Sequence, residues 1–212
     1  MLQFVIKGKE KFPPAEETQM VLEGGCRWIQ ISVDAADDNE CNLKAVAESV
    51  MPVCRENDAF LVIEDDVDLV DELKVHGVFL RDNCRSTVLE ARERLGAHAV
   101  IGVYAETPEE ILALRGLDVD YVCVPEAHIG NDAQTLPEKY RQMIKSLREG
   151  GVDFHVVASG EFALDVLPAL IGAGCAGVAM SASIADAENP KLATAMVVEE
   201  LEHARFGDAS GV

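Results

Sequence analysis

Short apolar or β-branched runs recur along the chain at 2–6 (LQFVI), 28–33 (WIQISV), 59–63 (AFLVI), 77–80 (GVFL), 99–103 (AVIGV), 119–124 (VDYVCV), 154–158 (FHVVA) and 176–180 (AGVAM). Most do not alternate with polar residues, which is the pattern of strands buried on both faces. Amphipathic stretches of helical period fill the gaps, at 14–24, 40–56, 66–74, 86–95, 107–115, 137–149, 161–173 and 190–204. Thr107-Pro108-Glu109-Glu110 reads as a helix start, with Pro at the first helical position and acids in the first turn. Gly24-Gly25, Gly96, Gly116, Gly150-Gly151 and Gly174 lie where helices should stop. Eight such strands, each followed by a helix, predict an α/β fold of the (β/α)8 TIM-barrel type rather than an open doubly wound sheet. Residues 1–206 are expected to form one domain, with 207–212 a frayed tail.

Composition narrows the partners. A chain of 212 residues that is 49% hydrophobic can bury one large core. Its 38 acidic and 18 basic residues leave a net charge of −20, which repels nucleic-acid backbones and anionic lipid surfaces. Six cysteines are scattered without a CxxC pair, several in apolar runs, which points to a reducing compartment. No apolar run is long enough for a signal sequence or a membrane span. The expectation is a cytoplasmic protein that binds neither nucleic acid nor membrane; the sequence leaves a homo-oligomer open.

A barrel of this kind carries its chemistry at the carboxyl ends of the strands, with phosphate groups often on the loops after strands seven and eight. The second strand leads to Gln30, Ser32, Asp34, Asp37 and Asp38, and the third to Glu64-Asp65-Asp66 and Asp68. After the fourth and fifth come Arg81, Asp82, Asn83, Cys84 and Arg85, then Tyr104, Glu106 and Thr107. The sixth leads into Pro125-Glu126-Ala127-His128-Ile129-Gly130-Asn131-Asp132, the seventh into Ser159-Gly160-Glu161 and the eighth into Ser181-Ala182-Ser183.

Four groupings on this rim suggest chemistry. Asp65 and Asp82 are oxygen donors of the kind Mg²⁺ takes with water or substrate oxygens; the alternative is that acids here, Asp66 and Asp68 above all, cap the next helix. Ser159, Gly160, Ser181 and Ser183 offer amides and hydroxyls to a phosphate, or serve as ordinary turn and cap residues. Glu126 and His128 are the candidate general acid and base, set against a structural role for a lone loop histidine. Cys84 and Cys123 are candidate nucleophiles without a partner recognisable in the sequence. His76, His98, His155 and His203 read as structural.

Several segments, read in order, resemble the thiamine phosphate synthase and thiazole tautomerase family. They are Gly24-Gly25-Cys26-Arg27-Trp28-Ile29-Gln30, Leu61-Val62-Ile63-Glu64-Asp65-Asp66-Val67-Asp68-Leu69, Gly77-Val78-Phe79-Leu80, and Ile101 through Glu110. Asp120 through Val124, Val157-Ala158-Ser159-Gly160 and Ala173 through Ile184 extend the likeness to most of residues 2–204. The resemblance implies a barrel that joins an aminopyrimidine diphosphate to a thiazole phosphate and releases pyrophosphate with Mg²⁺. It keeps Gln30 for the substrate and Asp65 for the metal; Glu64, Arg81 and Tyr104 are the further substrate candidates at altered or neighbouring positions, Asp82 is the second metal candidate from the acidic rim, and the Ser159-Gly160 and Ser181–Ser183 loops are the candidates for phosphate.

The family pattern is altered at several of these positions. Its Gln-Leu-Arg-Glu-Lys reads Gln30-Ile31-Ser32-Val33-Asp34, which keeps the glutamine and loses both cations. Its Asn-Asp pair reads Glu64-Asp65. Its Gly-Val-His-Leu-Gly-Gln reads Gly77-Val78-Phe79-Leu80-Arg81-Asp82, so that the second metal aspartate falls near Cys84. Its serine after the fifth strand is Tyr104, its loop of two threonines and a lysine is His128 through Ala133, and its Gly-Gly is Gly160-Glu161. Every charge-assisted hydrogen bond that such a substitution removes is worth about 1.5–3 kcal/mol, only partly replaceable by Arg81 and Arg85. Three readings follow. One is a divergent synthase with small phosphorylated heterocycles as partners, another a non-catalytic ligand-binding or regulatory barrel, and the third a metal-dependent barrel enzyme on a different small substrate.

Overall fold

The computed structural model describes residues 1–8, 11–32, 43–130 and 132–207. Eight parallel strands, β1 (Leu2–Ile6), β2 (Trp28–Ile31), β3 (Phe60–Glu64), β4 (Gly77–Leu80), β5 (Val100–Tyr104), β6 (Tyr121–Pro125), β7 (His155–Ser159) and β8 (Gly177–Met180), close into a barrel in chain order. Helices α1 (Pro14–Glu23), α2 (Leu43–Glu56), α3 (Val67–Leu73), α4 (Arg85–Leu95) and α5 (Pro108–Ala113) cover the first five strands. A one-turn α6 (Glu126–Ile129) precedes α7 (Leu136–Glu149), α8 (Leu167–Gly172) follows β7, and another one-turn helix, α9 (Ala182–Ala185), precedes α10 (Pro190–Phe206). The (β/α)8 expectation is met, and among the described residues no helix is long and apolar enough to cross a membrane.

Two short helices stand where the sequence predicts loops, and the 161–173 helix begins only at Leu167, after a 3₁₀ turn at Leu164–Val166. The late start follows from Pro168, which suits a first helical turn and would break an interior one. α10 ends at Phe206; the expected tail from 208 on lies outside the described residues.

Side chains that alternate along each strand divide into two layers. Phe4, Ile29, Ile31, Leu61, Ile63, Ile101, Val103 and Val122 face the helices in one large core. Val5, Trp28, Val62, Phe79, Tyr121, Cys123, Val157 and Ala179 fill the barrel. Both faces of the sheet are therefore buried, which is why the strands read as unbroken apolar runs. Trp28 meets Tyr121 edge to face at 4.7 Å between centroids, and Phe79 stacks on Tyr121 at 6.0 Å. Gln3, fully buried on β1, donates from Nε2 to Tyr121 Oη at 3.0 Å. These large side chains plug the middle of the barrel and separate a cavity at the carboxyl ends of the strands from an apolar one at the amino ends, lined by Trp28, Val62, Tyr121 and Val157 among others.

Candidate active site

At those carboxyl ends the interior opens into a cavity of about 240 Å³. Its walls include Lys7, Gln30, Ser32, Glu64, Arg81, Tyr104, Ser159, Gly160, Glu161 and Ser181, above a floor that includes Val5, Phe79, Cys123 and Ala179. Most of the expected site residues are thus brought to one place. Lys7 is an addition to them; β1 turns residues 3 and 5 into the barrel, and continuing that alternation puts 7 at the rim.

On the β2–β4 side, Gln30 Nε2 donates to Glu64 Oε2 at 3.1 Å, and Arg81 Nη1 stands 3.6 Å from Glu64 Oε1. Gln30 is almost completely buried. Burial pushes the Glu64 carboxyl above its usual range, against the opposing pull of the Ser32 hydroxyl, Lys7 and Arg81. Ser32 thus contacts Glu64 where the family pattern has an arginine.

The two expected metal ligands are turned to other tasks. Asp65 has a left-handed backbone, φ 58°, and its Oδ1 accepts the Arg81 N–H at 2.8 Å, tying the exit of β3 to that of β4. Asp82 accepts the Cys84 N–H at 3.0 Å and the Thr87 hydroxyl at 2.9 Å, bonds that hold its carboxyl below the usual range. Among the described residues no group of three or more His, Cys, Asp or Glu side chains is arranged to hold a metal. Magnesium needs only one or two carboxylates beside water and substrate oxygens; Asp65 spends one oxygen on the Arg81 N–H, whereas Asp82 spends both on Cys84 and Thr87. Asp66 does cap α3, accepting the Leu69 N–H at 2.8 Å, as the capping alternative anticipates.

Glu126 and His128 share the single turn of α6 yet serve different partners. His128 Nε2 lies 3.4 Å from Glu106 Oε1, and the same oxygen accepts the Tyr104 hydroxyl at 3.1 Å. Burial first, and then that hydrogen bond, push the Tyr104 phenol above its ordinary range. The carboxylate facing the imidazole is therefore that of Glu106, and a chain Tyr104–Glu106–His128 runs from the cavity wall outwards. Glu126 Oε1 instead accepts the Glu161 N–H at 3.1 Å.

The β7–β8 side holds the loops expected to take phosphate. Here the Glu161 carboxylate accepts the N–H groups of Ser181 at 3.2 Å, Ala182 at 2.9 Å and Ser183 at 2.8 Å. The Ser181 hydroxyl donates to Val5 O at 2.7 Å. A Cβ at Gly160 would fall 2.5 Å from Glu126 Cδ, so glycine is what lets the Glu126 carboxylate approach.

Other candidates lie elsewhere. Arg85 Nη1 donates to the carbonyls of Ala113 and Arg115 at 2.9 and 3.1 Å, so it braces the end of α5 instead of the mouth. Cys84 is exposed at the start of α4, outside the cavity wall. Cys123 is buried in the floor, where desolvation pushes its thiol up to about 12, so it is a thiol and not a nucleophilic thiolate near neutrality. Asp34, Asp37, Asp38 and Asn131 lie outside the described residues.

The family model described as thiamine monophosphate synthase matches residues 2–184. A thiamine-phosphate synthase of Bacteroides fragilis is 31% identical over 194 residues, covering 89% of this chain and 94% of that protein. One of Bacteroides thetaiotaomicron is 30% identical over 202 residues, covering 93% and 95%. Among solved structures, the thiamine phosphate pyrophosphorylase from Pyrococcus furiosus superposes with a TM-score of 0.78 at 24% identity, covering 96% of each chain, a likeness of fold. With the match spanning the barrel from its first strand to the short helix after its last, the chain belongs to the thiamine monophosphate synthase family.

Proposed function

We propose that this barrel binds an aminopyrimidine diphosphate at Gln30 and Glu64 and joins it to a thiazole, in the manner of its family. The observation that carries the reading is the Gln30 amide hydrogen-bonded to a largely desolvated Glu64 carboxyl inside the cavity. An amide beside a carboxyl presents a donor and acceptors side by side, which matches the ring nitrogen and exocyclic amine along one edge of an aminopyrimidine. In the joining step the bond from the pyrimidine methylene carbon to the diphosphate oxygen breaks, the electron pair leaves with pyrophosphate, and the thiazole nitrogen bonds to that carbon. Positive charge develops on the methylene group as this happens. An acidic mouth favours that charge, while Lys7 and Arg81 on the same wall suit the departing anion.

A second reading, a barrel that binds the heterocycle without turning it over, is favoured by Asp82, both of whose carboxylate oxygens are taken up by the protein's own N–H and hydroxyl groups. Calorimetry with the aminopyrimidine diphosphate, followed by incubation with thiazole phosphate or thiazole alcohol and Mg²⁺, separates the two. Saturable binding with formation of thiamine or its phosphate is expected. Binding without product selects the second reading, and absence of binding overturns both.

A further inference from the structure

We infer that Glu161 is a specificity residue that bars phosphate from the β7–β8 side of the mouth, so that the compound seated there carries an uncharged hydroxyl arm instead of a phosphate ester. The inference rests on the reading of the mouth as a site for a thiazole acceptor, and it names the chemical class of that acceptor.

The N–H groups of Ser181, Ala182 and Ser183 all converge on one carboxylate, that of Glu161, at 3.2, 2.9 and 2.8 Å. Three charge-assisted bonds to backbone amides are the contacts a phosphate would need. The anion that satisfies them is part of the chain. A second negative charge stands behind it, since Glu126 accepts the Glu161 N–H at 3.1 Å and lies against Gly160. An incoming phosphate would have to expel Glu161 from its three donors and then rest between two carboxylates, and like charges at such separations repel strongly in a partly enclosed site. The backbone donors on this wall are thereby withdrawn from any ligand.

A neutral alcohol meets the opposite situation. A carboxylate has about four lone-pair directions, so Glu161 can keep its amide donors and still accept one more hydrogen bond. Its side chain is exposed at the rim and forms part of the cavity wall. A thiazole with a free hydroxyalkyl arm would therefore donate its hydroxyl to Glu161 over the small floor residue Ala179. Joined to the pyrimidine, such an acceptor gives an unphosphorylated product.

Isothermal titration of the whole protein with inorganic phosphate, hydroxyethylthiazole and hydroxyethylthiazole phosphate tests this, in the wild type, Glu161→Gly and Glu161→Gln. The wild type is expected to bind the alcohol at least about tenfold more tightly than its phosphate, and to show no saturation by inorganic phosphate up to about 10 mM. Glu161→Gly should gain at least about tenfold in affinity for inorganic phosphate, and Glu161→Gln, which keeps the shape and removes the charge, a smaller part of that gain. Wild-type protein that takes phosphate as tightly as Glu161→Gly, or prefers the phosphate ester to the alcohol, overturns the inference. So does a lack of gain in both variants when their melting temperatures match the wild type. Because Glu161 is exposed, the glutamine variant secures a folded comparison. Binding of the aminopyrimidine diphosphate, measured in the same three proteins, reports on Gln30 and Glu64 instead, so its failure sinks the reading of the mouth and not the role of Glu161.

Discussion

A Cβ on Gly102 would overlap the ring of Tyr121 at Cζ. The β5 glycine is what makes room in the barrel for the β6 tyrosine, whose ring also meets Trp28 and Phe79 and whose hydroxyl takes the Gln3 amide donor. Gly102→Ala forces that packed aromatic cluster to move. Overpacking of this kind costs about 1–3 kcal/mol, and the rigidity of Tyr121 places this case near the upper end. A denaturant midpoint equal to the wild type would contradict the packing described.

Removal of the Gln30 side chain strips one partner from Glu64 and one polar contact from the bound heterocycle. Gln30→Ala is expected to weaken aminopyrimidine binding by about tenfold, the equivalent of ~1.4 kcal/mol, with the fold retained. Calorimetry checks the affinity and circular dichroism the fold. Unchanged affinity would place the ligand elsewhere on the rim.

The pH response of Glu64 has a definite sign. Its carboxyl is raised in the folded protein above the ordinary 4.5, so the folded state holds that proton more tightly than the unfolded chain does. Its contribution to stability is therefore full at pH below the unfolded value and is lost as the pH rises through the folded one. Glu64→Gln removes this dependence. The difference in melting temperature between wild type and variant should shift in favour of the variant as pH rises above 4.5, and a constant difference would show that Glu64 titrates normally.

Asp66 takes the Leu69 N–H at the start of α3. Asp66→Ala should cost about 1 kcal/mol, in the usual range for loss of an N-cap. Equilibrium unfolding measures this directly. Because Asp66 caps the helix that leaves the β3 rim, aminopyrimidine affinity should change far less than stability.

The strands are readable because each is covered on both sides, so runs such as 59–63 and 99–103 stand out from the helical pattern around them. Every predicted strand is present; 2–6 and 77–80 coincide with β1 and β4, and the other six differ by one or two residues at their ends. The one-turn helices α6 and α9 are not readable, since four residues carry no period. Gln30, Glu64, Arg81 and Tyr104 belong at the mouth by their positions at strand ends, and all four line it. Pairing is what a linear chain conceals. Glu126 and His128 lie two residues apart, yet the helical turn points them to Glu161 and Glu106, partners on other loops. Glu161 itself reads as one more acidic rim residue, because nothing in its neighbourhood shows that three amides twenty and more positions later will converge on it. Arg85 is misjudged for the same reason, its carbonyl partners lying across the gap between α4 and α5.

The seam between β1 and β8 joins the two ends of the described chain: Leu2, Gln3 and Phe4 pair with Val178, Ala179 and Met180, and the Ser181 hydroxyl reaches Val5 across 176 positions. Contacts so distant in sequence are slow to form, because the whole intervening chain must first collapse into order. Half-folded molecules with an unzipped seam have no complete pocket to offer. During refolding, recovery of ligand affinity should thus coincide with closure of the cylinder and lag behind the appearance of helix.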